Sequence, residues 1–259
     1  MKRKYTAADF SAEEKIRLLA GKDSWHTEDF GGRLYEVTVS DGPLGLRTPV
    51  RNEKGEWTDK PAVAYPSTQI LSQTWRTEYA YETGKMLADD CMENGVDVLL
   101  APGVNIKRNP LCGRNFEYVS EDPYLAGVFG REYIRGLQDK HVGATLKHFC
   151  CNNLEFSRFW LSSEVDERPL REIYLRPFEI SCEAKPWAVM CSYNLVNGVR
   201  MSEHKKLYTL LRGEFGFDGM IMSDWGAVKD HAASVKAGLD LEMPYSETGY
   251  QTLKAAYEA

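Results

Sequence analysis

The sequence predicts an α/β protein of the (β/α)8 TIM-type barrel class, with an irregular or incomplete barrel. Three observations predict it. A short apolar run, then polar, Gly or Pro residues, then a helical stretch recurs along the chain, and strands alternating with helices imply a parallel sheet. No run is followed by the GxGxxG turn that would favour an open dinucleotide-binding sheet. The chain has 259 residues, 43% of them hydrophobic, with no internal repeat, low-complexity segment or obvious linker. That is enough for one large core, so residues 1–259 read as a single domain.

Taken in order, the first strand is Val37-Thr38-Val39, before SDGPLGLR, and the second Val98-Leu99-Leu100, before APGVNIKRNP. Ala144-Thr145-Leu146 precedes KHF, and Trp187 to Met190 precedes CSYN. Met220 to Met222 runs into SDW, and Leu239-Asp240-Leu241 into EMP. Six runs fall short of eight strands, hence the irregular barrel. Between them, residues 70–93 carry Leu71, Trp75, Met86 and Leu87 among charges, and residues 123–140 follow an acidic start with Pro in the first turn, where it is well tolerated. Residues 166–183 place Leu170, Ile173, Tyr174 and Ile180 on one face, with Pro177 expected to kink or divide the helix. A last helix over 251–259 ends the sequence without a cap, and the chain is expected to be the N-terminal part of something longer.

Composition narrows the function. The charge is −6, from 32 basic and 38 acidic residues, without a long basic run; this gives no electrostatic reason to expect a nucleic-acid partner. No apolar core follows the basic start, and no stretch approaches a membrane span. The six cysteines lack CxxC spacing and read as reduced, packed thiols. The expectation is a soluble, cytoplasmic protein. Aromatics make up 12% of the chain, many beside turn residues, as on a surface that stacks on sugar rings.

In a barrel, residues after each strand face a common rim where active sites gather. That rim reads Asp41 and Arg47, then Lys107, Arg108 and Arg114, then Lys147 and His148, then Arg158, Tyr193, Asp224 and Trp225. The set lacks metal-site spacing and a phosphate-cradling loop, and no metal or organic cofactor is implied. It suits a polyol: charged groups fix hydroxyl pairs and aromatics cover the ring's apolar face. Each residue also has a plainer reading. Asp224 could cap the next helix, His148 could be a satisfied core histidine, and Arg158 could bridge Glu155 or Glu164. Asp41 opens a common DGP turn, and Tyr193 and Trp225 could be packing. A retaining glycosidase would need Asp224 ionised, and the neighbouring cations are expected to hold it so, with a second carboxyl about 5–5.5 Å away.

Five stretches, VSDGPLGLR, NPLCGRNFEYVSEDPYLAG, KHFCCNNLEFSR, MCSYNLVNG and GFDGMIMSDWGA, closely resemble the β-glucosidases of glycoside hydrolase family 3, in order and spacing, from about residue 15 to 245. The resemblance implies a double-displacement hydrolase acting on terminal, non-reducing β-D-glucosyl residues, with β-xylosidase or a broader β-glycosidase as alternatives. Asp224 matches the nucleophile. Asp41, Arg47, Arg114, Lys147, His148 and Arg158 match residues that bind the terminal sugar. Met190 and Tyr193 match the lining of that subsite, and Trp225 matches an aromatic on the aglycone side. The N-acetylglucosaminidase branch has a KHFPGHG-like motif; here KHF is followed by Cys150-Cys151-Asn152-Asn153, which disfavours that branch. In the family's β-glucosidases the acid/base is usually a Glu on a following α/β-sandwich domain, and nothing here corresponds to it. Glu117 and Glu121 read as structural. The resemblance therefore implies a C-terminal domain or second chain that supplies the acid/base; without it, the chain would be a sugar-binding fragment.

Overall fold

The computed structural model describes residues 5–259; the reading of the N-terminus as no export signal rests partly on residues 1–4, which lie outside the described residues. Helix α1 (Ala12–Leu18) opens on a reciprocal cap. The Ser11 hydroxyl accepts the Glu14 N–H, and the Glu14 carboxylate accepts the Ser11 N–H. Strand β1 (Val39–Ser40) is followed by a hairpin of β2 (Pro49–Arg51) and β3 (Trp57–Asp59). The helix expected over 70–93 is two, α2 (Thr68–Gln73) and α3 (Glu78–Glu93). They part at Trp75, whose φ of 58° no helix accommodates.

Strand β4 (Val98–Leu99) leads to α4 (Pro123–Asp139), capped by the Asp122 carboxylate and followed by β5 (Gly143–Phe149) and the short β6 (Ser162–Ser163). Pro177 divides the next helix as expected. Helix α5 (Glu167–Pro169) passes through a π-helical stretch, Leu170–Leu175, into α6 (Arg176–Cys182), whose first turn needs no proline N–H. Then come β7 (Ala188–Cys191), the hairpin β8 (Leu195–Val196) and β9 (Val199–Arg200), α7 (Lys205–Gly213), β10 (Met220–Ser223), α8 (His231–Ala237) and α9 (Glu247–Glu258). Among the described residues no helix is long and apolar enough to cross a membrane.

Five strands form a parallel sheet in the order β1-β4-β5-β7-β10. The sixth expected run, 239–241, contributes only a parallel bridge from Leu241 to Met222. The N-terminal segment carries the curl onward: Ala20 bridges Glu242, and the Val39 N–H donates to the Trp25 carbonyl at 2.8 Å. The ring is thus closed by irregular backbone rather than by further strands. Alternate residues face two cores. Val98, Leu100, Ala188, Met190 and Met222 fill the inside, while Leu99, Leu146, Val189 and Ile221 meet the outer helices. Burial on both faces explains why the strands read as unbroken apolar runs. All six cysteines are buried free thiols.

Candidate active site

Past the C-terminal ends of these strands lies a cavity of about 190 Å³ lined by Asp41, Arg114, Lys147, His148, Arg158, Met190, Tyr193, Asp224 and Trp225, with Leu100 and Trp25. Drug-sized pockets start at about 300 Å³, so the space suits one ring rather than several. Of the rim residues read from the sequence, Arg47, Lys107 and Arg108 stay outside it, and the rest meet there. Asp41 begins a tight loop in which Gly42 has φ 134° and a Cβ would strike the Gly45 backbone. The loop returns so that the Arg47 N–H donates to the Asp41 carbonyl at 2.9 Å and the Arg47 side chain leaves for Asp59, 3.3 Å away on β3. Arg47 therefore braces the Asp41 loop and does not reach the cavity. Lys107 also turns elsewhere, to Gln69 at 2.7 Å, in a separate groove where burial pushes its amine down to about 8.

Two adjacent residues, Lys147 and His148, line the cavity although strand neighbours point to opposite faces. A register shift between Leu146 and Phe149 makes this possible. Asn105 holds the bulge from both sides, its amide donating to the His148 carbonyl at 2.9 Å and its oxygen accepting the His148 N–H at 2.8 Å. Lys147 Nζ reaches Asp41 Oδ1 at 3.0 Å and Glu117 Oε2 at 3.2 Å. Burial opposes the ammonium charge, but Asp41 and Glu117 outweigh it and raise the amine above its ordinary value. Burial likewise opposes the Asp41 charge, yet Lys147 holds that carboxyl below its ordinary value.

His148 is fully enclosed, and burial, then Arg114, Lys147 and Arg158, push its imidazole well below its ordinary value, leaving it neutral. The neighbours fix its tautomer. Asn152 donates to the Tyr118 oxygen at 3.1 Å, and the Tyr118 hydroxyl faces His148 Nδ1 at 3.3 Å. With Nδ1 accepting that hydrogen, the proton sits on Nε2. Nε2 has no hydrogen-bond partner and lies 3.6 Å from Asp224 Oδ2.

Asp224 caps no helix: the next helix, α8, is capped by Asp230, whose carboxylate accepts the Ala233 N–H. Asp224 Oδ1 accepts the Trp225 N–H at 2.8 Å, while Oδ2, 3.5 Å from Arg114 Nη1, has no hydrogen-bond partner. The cations do not win as the sequence suggested. Burial is the largest influence and raises the carboxyl above its ordinary value, against Arg114, the Tyr193 hydroxyl and Lys147. Arg158 pairs with Glu155 at 2.6 Å, the bridge its plainer reading expects, and also lines the cavity, standing 4.1 Å over the Tyr193 ring. Trp225 donates its indole N–H to the Ser24 carbonyl and packs on Trp25 with ring centroids 5.7 Å apart. Trp25 was not nominated from sequence; it lies on the N-terminal segment that closes the ring, and no strand end announces it.

Fold and cavity define a TIM-type α/β barrel with a charged, aromatic-edged pocket at the usual mouth. The chain belongs to glycosyl hydrolase family 3: residues 34–259 match the glycosyl hydrolase family 3 N terminal domain. It is 46% identical over 254 residues to an exo-alpha-(1->6)-L-arabinopyranosidase of Bifidobacterium longum, covering 95% of this chain and 33% of that one. It is 46% identical over 243 residues to thermostable beta-glucosidase B of Acetivibrio thermocellus, covering 90% and 32%. Among solved structures it resembles a Bifidobacterium adolescentis GH3 beta-glucosidase, with TM-score 0.89, 43% identity and coverage of 98% and 37%. It also resembles beta-glucosidase 3B from Thermotoga neapolitana in complex with glucose, with TM-score 0.89, 39% identity and coverage of 97% and 38%. The chain spans about a third of the length of these curated relatives.

Proposed function

We propose that this chain carries the sugar-binding and nucleophile half of a retaining glycosidase acting on terminal β-D-glucosyl residues. The observation that carries this reading is the Asp224 carboxylate, buried at the end of β10 with Oδ2 unpartnered and Arg114 and His148 within 3.6 Å. In the reaction, Asp224 attacks the anomeric carbon, the glycosidic C–O bond breaks, and water later hydrolyses the covalent glycosyl-enzyme. The raised carboxyl is a stronger base when ionised, and Arg114 stabilises that ionised form. His148 Nε2–H and the Asp41–Lys147 pair bind ring hydroxyls, and Trp225 with Trp25 borders the leaving-group side.

The proton donor comes from the part of the protein beyond the barrel. Asp41, the other carboxylate lining the cavity among the described residues, is held below its ordinary value by Lys147, whereas a general acid needs the reverse. A relative three times as long leaves room for a further domain. Covalent labelling with a dinitrophenyl 2-deoxy-2-fluoro-β-D-glucoside, which needs no proton donor, tests the reading: a single adduct on Asp224 supports it, and a folded protein without one contradicts it.

The arabinopyranosidase relative favours a second reading of the sugar. An α-L-arabinopyranoside matches a β-D-glucoside at the anomeric, second and third carbons but reverses the fourth hydroxyl and lacks the hydroxymethyl group. Comparing kcat/KM for the two nitrophenyl glycosides decides which sugar the site takes.

A further inference from the structure

Between two of the three cations that line the cavity stands a carboxylate that does not line it. Glu117 is 3% exposed, with Oε1 2.6 Å from Arg114 Nε and Oε2 3.2 Å from Lys147 Nζ. Lys147 in turn holds Asp41, and Arg114 faces Asp224. The result is a row of alternating charge, Asp41–Lys147–Glu117–Arg114–Asp224, in which Glu117 is the central member. Without it, the buried Lys147 and the half-buried Arg114 would face each other and direct their full charge at the carboxylates on either side.

We propose that Glu117 is a positioning residue that fixes the Arg114 and Lys147 side chains and sets how much positive charge they present to Asp224. This rests on the reading of Asp224 as the nucleophile. The physical reason is the sign of the summed charge. Asp224 is faced by Arg114, Lys147, the Tyr193 hydroxyl and the neutral His148, with the Cys191 thiol behind it. Glu117 is faced by Arg114, Lys147 and the Tyr118 phenol. Removing the Glu117 charge adds one net positive charge to the row, and in a dry site such a charge acts strongly on its neighbours. Asp224 then ionises at lower pH. The same change makes the nucleophile a weaker base and frees the Arg114 fork to turn from the sugar.

The test follows the rate of glycosylation by the dinitrophenyl fluoroglucoside against pH, in the full chain. Glu117→Gln is expected to move the acid limb to lower pH and to reduce the maximal rate. Glu117→Asp keeps the charge but shortens the reach, so its acid limb stays at the parent's position while KM rises. If Glu117→Gln does not fold, Lys147→Gln compared with Glu117→Gln/Lys147→Gln reads the same displacement, because the pair is then removed together. An unmoved limb on loss of the Glu117 charge, in Glu117→Gln or in the double-variant comparison, with the parent labelled on Asp224, overturns the role of Glu117 alone. A folded parent that is not labelled on Asp224 overturns the proposed function and this inference with it.

Discussion

At the scale of single residues the account turns on which buried charges are compensated. Lys147 serves Asp41 and Glu117 at once, so Lys147→Met leaves Asp41 without its cation and the buried Glu117 with Arg114 alone. Breaking a buried pair this way costs about 3–5 kcal/mol, which urea unfolding will show as a lower midpoint with an unchanged slope. Asp224 is the opposite case. Its carboxyl is raised by burial, so the fold favours the protonated form, and that contribution to stability is lost as pH rises through the raised value. Asp224→Asn should therefore abolish labelling yet raise Tm near neutral pH, by about 2–4 °C for about 1 kcal/mol, with the gain shrinking in acid. A gain that persisted in acid would contradict the sign. The residues legible in the sequence were those whose chemistry fitted badly where it stood, such as Asp224 at the end of an apolar run and the Lys147-His148 pair. Arg47 stands apart from the cavity because a motif fixes where the backbone goes but not the side chain, which here pairs with Asp59 beyond the Gly42–Gly45 turn.

At the scale of elements, strands and helices were legible where burial was continuous and failed where local backbone decided. The four-residue strands β7 and β10 fell on the expected runs. The break at Trp75 was missed because nothing in TWRTE forbids a helix; only the positive φ reveals it. The run 239–241 has a strand's composition but only a bridge to Met222, and the N-terminal segment bridges its other side through Ala20 and Glu242. Helices α3 and α4 meet through glycines that no periodicity marks: a Cβ at Gly136 would press on the Tyr81 carbonyl and stand 3.0 Å from Lys85 N. Both neighbours are backbone and cannot yield cheaply. Gly136→Ala should cost about 1–3 kcal/mol despite the better helix propensity of alanine, and Gly213→Ala, with open space around it, is the control.

At the scale of the molecule, a barrel mouth gathers polar groups from four strand ends and two loops into one pocket for a single ring. That placement, rather than any one motif, turns dispersed charges into a site. On the proposed reading the barrel supplies the nucleophile, the sugar-binding set and an aromatic edge, since its cavity carboxylates, one raised by burial and one lowered by Lys147, suit attack and binding better than proton donation. Loss of a general acid typically removes ~10²–10⁴ in rate, so the 259-residue chain should be slow on a disaccharide while still reacting with an activated glycoside. The most direct measurement is intact-protein mass spectrometry after incubation with the dinitrophenyl 2-deoxy-2-fluoro-β-D-glucoside, with Asp224→Asn alongside. The account predicts one added fluoroglucosyl group, mapped to the peptide holding Asp224 and absent from the variant. A cooperatively folded chain that took up no label, or carried it on another residue, would contradict it.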